Sequence, residues 1–305
     1  MASDRFPPPV LILAGPGAPG ATLAAALGRN PAAFGLPALN LELDPLLDTW
    51  FSTLSGLRAA QTHGLLRTLA LVLGGEQTIP AVAMARRWLL RRMHLPTARI
   101  AHEIAALVAP RRMVIPVTAG LFEAGARERL TETWPGAAVI FLRLHPLHHA
   151  GLLLAEAGGA AALLLGATET APGMAPAPDP ETLWMMTEDA VAAWPGPAPQ
   201  ALRLEDLLSA PAEGLARLAG DLGLPADPDA VAAMMRPEIS PFAGPGPFGA
   251  QTPAGIRSLD ALSRALAASR APSGLTSLTR PLPWRADARA FRPDLRDRAR
   301  ALGYA

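Results

Sequence analysis

Two kinds of apolar spacing alternate along the chain. Short unbroken runs, Val10-Leu11-Ile12-Leu13, Arg111-Arg112-Met113-Val114-Ile115-Pro116-Val117 and Ala137-Ala138-Val139-Ile140-Phe141-Leu142-Arg143-Leu144, have the composition of strands buried on both faces. Between them apolar residues recur at helical spacing. Leu46, Leu47, Trp50, Leu54 and Leu57, then Leu65, Leu66, Leu69 and Leu73, predict helix over 46–73, with Gly74-Gly75 as the stop. Further helices are expected over 79–93, 100–109, 121–133, 147–165, 180–194 and 211–222, and another strand at Ala201-Leu202-Arg203-Leu204. A short extended segment precedes Leu41. This rhythm predicts an α/β protein with a central, mostly parallel sheet flanked by helices on both faces, as one domain over 1–305. A helical insert is expected at about 42–110 and a flexible Pro- and Ala-rich loop at about 166–180. No internal repeat is visible.

The first strand runs into Ala14-Gly15-Pro16-Gly17-Ala18-Pro19-Gly20-Ala21-Thr22, which reads as a glycine-rich turn opening a helix. The free N–H groups and the dipole of such a helix start attract an anion. Side-chain chemistry for that task is missing. No Lys or Arg lies between Arg5 and Arg29, and Pro19 removes an N–H donor. A nucleotide-hydrolase loop needs Gly-Lys-Ser/Thr, and the chain contains no lysine at all. Gly15, Gly17 and Gly20 also satisfy a dinucleotide-binding spacing, with Glu42 as its acidic residue, and this stands as a minor alternative.

Half of the residues are apolar, enough for a large core, and a net charge of +1 leaves no electrostatic footprint for nucleic acid. The absence of cysteine removes disulfides, thiolate metal sites and thiol nucleophiles together. Prolines 7 to 9 and the glycine-rich break interrupt what would otherwise be a leader, and Glu156, Gly158 and Gly159 interrupt the run 150–167. A cytoplasmic protein without a membrane span is expected. Arg86, Arg87, Arg91 and Arg92 share a helix with Trp88, Leu89 and Leu90, as a solvated face or as a surface for an acidic or phosphate-bearing partner. His145, His148 and His149 have no neighbouring carboxylate to complete a metal site, so no metal is expected.

Several segments together resemble the sulfotransferase family, which transfers a sulfuryl group from 3′-phosphoadenosine 5′-phosphosulfate (PAPS) to a hydroxyl. Residues 10–41 resemble its strand, phosphosulfate loop and following segment. Residues 138–152 resemble its second cofactor motif, and Leu202 to Pro225 its "glu-asp-leu" turn and helix. Phe291-Arg292-Pro293 through Tyr304 resembles the C-terminal helix. The helical insert is most similar to bacterial modules that act on carrier-bound polyketide chains. By this resemblance the cofactor would lie against Gly17, Ala18, Gly20, Ala21, Thr22, Leu144, Leu152 and Trp184.

The family's functional residues are nevertheless replaced. Its loop cation falls at Ala18 and the serine after it at Pro19, a carboxylate at Ala38, and the arginine and serine that hold the 3′-phosphate at Leu144 and Leu152. Glu42 is the surviving candidate for a base. Arg143, Arg29 or the 86–92 arginines are the candidate substitute cations. Deleting one group that stabilises developing negative charge costs on the order of 100-fold to 1,000-fold in rate. Two readings follow from the resemblance. One is a catalytically degenerate homologue, without cofactor, that binds a small-molecule or carrier-bound apolar acceptor or a protein partner. The other is an active PAPS-dependent enzyme with an atypical site.

Overall fold

The computed structural model describes residues 6–170, 175–252, 255–268, 278–285 and 287–304. Strand β1 (Val10–Leu13) leads through the glycine-rich turn into α1 (Gly20–Gly28) and then β2 (Ala33–Gly35). The helices α2 (Leu47–Thr53), α3 (His63–Gly74), α4 (Ile79–Leu90) and α5 (Thr97–Val108) separate β2 from β3 (Arg112–Val117). Next come α6 (Ala126–Thr133), β4 (Ala138–Arg143), α7 (Pro146–Ala155), α8 (Ala160–Leu164) and a hairpin of β5 (Thr168–Glu169) with β6 (Ala177–Pro178). The chain continues through α9 (Pro180–Ala192), β7 (Gln200–Arg203), α10 (Leu204–Ser209), α11 (Pro211–Asp221), α12 (Pro228–Met234), α13 (Leu259–Ala268) and α14 (Pro293–Ala301).

Five strands form one parallel sheet in the order β2-β3-β1-β4-β7. Successive side chains alternate between its faces, so each apolar run builds two cores at once. Leu11, Leu13, Met113, Ile115, Val117 and Phe141 face the α2–α6 side. Val10, Ile12, Val114, Ile140 and Leu142 face α1 and the α10–α13 side. This explains why the runs lack the polar alternation of a half-exposed sheet.

Two expected helices are broken. The 46–73 stretch is α2 and α3 joined by a 3-10 turn at Gly56–Thr62. The 147–165 stretch breaks at Gly158 and Gly159, both at positive φ, which end α7 and start α8. The extended segment before Leu41 contributes only Ala33–Gly35 to the sheet. The 166–180 region carries the small β5–β6 hairpin, and its centre, 171–174, lies outside the described residues. Among the described residues no single helix is long and apolar enough to cross a membrane.

Strand order reverses about β1, which has β3 on one side and β4 on the other. In an open parallel sheet this reversal opens a crevice beyond the carboxyl ends of the strands. The glycine-rich turn lies there.

Candidate functional site

The turn after β1 is held by close backbone packing. Gly17 has φ +84°, and a Cβ there would come within 2.8 Å of the Leu153 Cα on α7. A side chain at Gly15 would meet the Thr187 hydroxyl of α9 at 2.8 Å. His149 Nε2 donates to the Pro16 carbonyl at 2.8 Å, and burial pushes the imidazole down to about 4, so the ring is neutral near pH 7. The loop therefore rests on α7 and α9 through backbone and one buried imidazole.

Helix α1 begins after Pro19 with no side-chain cap and no acidic residue in its first turn. Leu23 N–H donates to the Pro19 carbonyl, whereas the N–H groups of Ala21 and Thr22 have no such carbonyl partner. The Thr22 hydroxyl donates to the Gly255 carbonyl at 3.1 Å and accepts from the Arg257 N–H at 3.0 Å. Those contacts bring the 255–257 segment over the helix start.

In front of this helix start opens a cavity of about 670 Å³. Gly17, Ala18, Pro19 and Ala21 form one wall, Pro37, Ala38 and Pro116 another, and Leu152, Leu164, Leu165 and Phe242 line it further. Arg257 and Glu156 are its charged lining residues. Arg257 was missed by the sequence reading. It lies 240 residues past Gly17 in a stretch of Pro and Gly without apolar periodicity, so only its contact with Thr22 reveals it.

The structure separates the other candidates. Leu144 and Leu152 are both buried in the core with Leu204 and Leu207, and of the two only Leu152 also lines the cavity. Trp184 is also a core residue: its indole N–H donates to the Leu144 carbonyl at 3.0 Å, and it packs with Leu147 and Phe291 away from the cavity. Arg143 points to the opposite face from Leu144. It holds Glu188 of α9 through a bidentate pair from Nε and Nη2, at 2.9 and 3.0 Å, and does not line the cavity. Arg143, expected as a substitute cation, is engaged in that pair in this structure. Arg29 follows the far end of α1, and the 86–92 arginines do not line the cavity either.

Glu42 is likewise turned away. Ala38 and Asn40 line the large cavity, whereas Leu39, Leu41 and Glu42 line a separate one of about 280 Å³ with Ile115, His102 and Trp134. Its carboxylate packs on the Gly120 backbone, where any Cβ would lie 2.7 Å from Oε1. Burial pushes the carboxyl up to about 7, against a weaker opposing pull from Arg129. Glu42, expected as a base, thus lines the smaller cavity and not the first-loop one.

The three histidines are engaged locally. Glu205 Oε1 accepts from the His145 N–H at 2.8 Å and from His148 Nδ1 at 2.7 Å, which caps the start of α7. Hydrogen bonds to His148 and His145 hold the Glu205 carboxyl below its ordinary value against the larger single effect of its burial. Among the described residues no group of three His, Asp or Glu side chains is placed to hold a metal ion.

No protein-family model and no curated protein sequence matches this chain. Among solved structures it is similar to a sulfotransferase domain from the curacin biosynthetic pathway, with a TM-score of 0.70 and 18% identity over 98% of this chain and 99% of that one. It is also similar to the sulfotransferase domain of the Synechococcus PCC 7002 olefin synthase, with a TM-score of 0.67 and 18% identity over 98% and 95% of the two chains. At this identity the likeness establishes the shared α/β fold.

Proposed function

We propose that this chain is a catalytically degenerate member of the sulfotransferase fold. Its first-loop cavity binds an elongated apolar molecule, free or attached to a carrier, with a single anionic group at the helix start. The observation that carries the reading is the lining: Ala18, Pro19, Ala38, Pro116 and Leu152 surround the position where several anionic oxygens would need partners. PAPS brings several negative charges. Arg257 and Glu156 together supply no net positive charge, and burying unpaired anionic oxygen against Leu152 is costly. A volume of about 670 Å³ suits a small organic ligand. Arg257 lines the same cavity as the start of α1, whose Ala21 and Thr22 N–H groups lack a carbonyl partner, and together they would stabilise one carboxylate, sulfate or phosphate.

Arg257 also supports a second reading, an active PAPS-dependent sulfotransferase with an atypical site, because among the described residues it is the arginine that lines this cavity. Calorimetric titration separates the two. Under the first reading, 3′-phosphoadenosine 5′-phosphate shows no heat at millimolar concentration, and laurate binds saturably and more weakly to Arg257→Ala. Micromolar nucleotide binding that is lost in Arg257→Ala would establish the second reading and overturn the first.

A further inference from the structure

Helix α4 has one buried and one exposed face, and the exposed face is not an ordinary solvated surface. Ala81, Val82, Ala85 and Leu89 pack inward beside α3. On the other side Ile79, Arg86, Arg87 and Leu90 recur at helical spacing, with Ile79 58% and Leu90 61% exposed. A neighbouring loop extends the patch. Arg86 donates to the Gly249 carbonyl at 2.8 Å, which brings Phe248, 76% exposed, beside α4. Gln77 donates to the Pro241 carbonyl at 2.6 Å, which brings in exposed Ile239. Large exposed apolar side chains gathered with arginine mark an interaction site, whereas isolated ones do not.

The charge pattern defines the occupant. Arg92 is already committed, stacked on Trp88 at 3.7 Å and paired with Glu103 at 2.9 Å. Among the described residues no carboxylate is within ion-pair distance of Arg86, Arg87 or Arg91. Exposed Glu76 and Glu238 lie at the edge of the same surface. An anionic bilayer would place uniform negative charge against those two carboxylates, whereas a protein surface can match mixed charges one by one. From Ile79 to Leu90 the strip is about 16 Å long, the length of about three helical turns.

We propose that this face of α4, with the loop carrying Ile239 and Phe248, docks an acidic amphipathic helix of a partner protein. Leucines of that helix pack on Ile79, Leu90 and Phe248, and its flanking carboxylates pair with Arg87 and Arg91. The surface lies outside the first-loop cavity, so docking holds whichever ligand the cavity takes.

The test uses the full chain and a fluorescein-labelled 18-residue peptide with leucine at i, i+3, i+4 and i+7 and glutamate on the flanks, read by fluorescence anisotropy. Saturable binding is expected, weakened at least about tenfold by Arg87→Glu with Arg91→Glu and separately by Leu90→Ser. Arg300→Glu on α14 should leave it unchanged. All three variants replace exposed side chains, and circular dichroism checks that they stay folded. A composition-matched scrambled peptide binding equally well, or binding insensitive to Arg87 and Arg91, overturns the proposal. So does absence of peptide binding, and so does sedimentation with phosphatidylglycerol vesicles in place of peptide binding, which would assign the face to a membrane.

Discussion

Replacing Arg143 by alanine tests whether its guanidinium belongs to the fold or to an anion site. The side chain is 17% exposed and its partner Glu188 only 4%, and two charge-assisted hydrogen bonds of 2.9 and 3.0 Å join them. Burial already holds the Glu188 carboxyl above its ordinary value, with Arg143 as the main opposing influence. Removing Arg143 strands a buried carboxylate, a change that costs about 3–5 kcal/mol. With an unfolding entropy of about 2 cal/mol/K per residue, that loss lowers the melting temperature of this chain by about 5–8 °C. The sign of the pH dependence follows. Without Arg143 the folded-state pKa of Glu188 rises further, so the deficit is largest at pH 8 and shrinks as falling pH protonates the carboxyl. Replacing the pair together, Arg143→Met with Glu188→Leu, should recover most of the loss because no unpaired charge remains. Thermal melts of the two single variants and the double variant at pH 5 and pH 8 read all of this. A drop below about 2 °C in Arg143→Ala, or a double variant no better than the single, refutes the structural role.

Other expectations follow from the same geometry. Glu42 has a folded pKa of about 7 against an ordinary 4.5, so its contribution is fully present below pH 4.5 and is lost as pH rises through 7. Glu42→Gln should therefore match the parent at pH 4.5 and exceed it at pH 8 by up to about 3 kcal/mol in urea denaturation; an unchanged pH slope would sink this assignment. His149 behaves in the opposite sense: its depressed pKa of about 4 makes stability fall as pH drops from 6.5 toward 4, and an NMR titration of its ring should show no protonation above pH 6. Two leucine substitutions test the core behind the cavity. Leu144→Arg buries a cation beside Leu204 and should fail to accumulate as folded protein, while Leu152→Ser, buried where the core meets the cavity, should stay folded and melt about 3–8 °C lower. A Cβ at Gly64 would come 2.1 Å from the Ala38 carbonyl, so Gly64→Ala should cost about 1–3 kcal/mol and weaken laurate binding by moving that wall; unchanged melting would contradict the packing described here.

Much of the architecture was legible along the chain. Continuous apolar strands separated by helical periodicity demand a parallel sheet covered on both sides, because each strand has two apolar faces to bury. The Gly17 turn was legible for a similar reason: the backbone there needs positive φ and close approach to α7, and both requirements select one residue type. The broken helices at 54–62 and 156–160 were not, because apolar periodicity continues across a break that glycines and a 3-10 turn permit.

The site divides along the same line. That no lysine or arginine lies between Arg5 and Arg29, and that positions 144 and 152 are leucine, are properties of residue type and could be read directly. Which of the remaining charges face the cavity could not, since period-two alternation and long-range contacts decide it. Arg143 and Leu144 are adjacent in sequence, yet one pairs with Glu188 and the other packs with Leu204 on the opposite sheet face. Leu41 and Glu42 follow Asn40 directly, yet line a different cavity. Arg257 enters only through its backbone contact with Thr22, 235 residues away. The sequence by itself determined the strand and helix scaffold and the lack of a basic side chain in the first loop, because both depend on local residue chemistry. Only the tertiary structure decided that Arg257 lines the first-loop cavity while Arg143 and Glu42 do not, because direction and long-range proximity arise when the sheet is assembled.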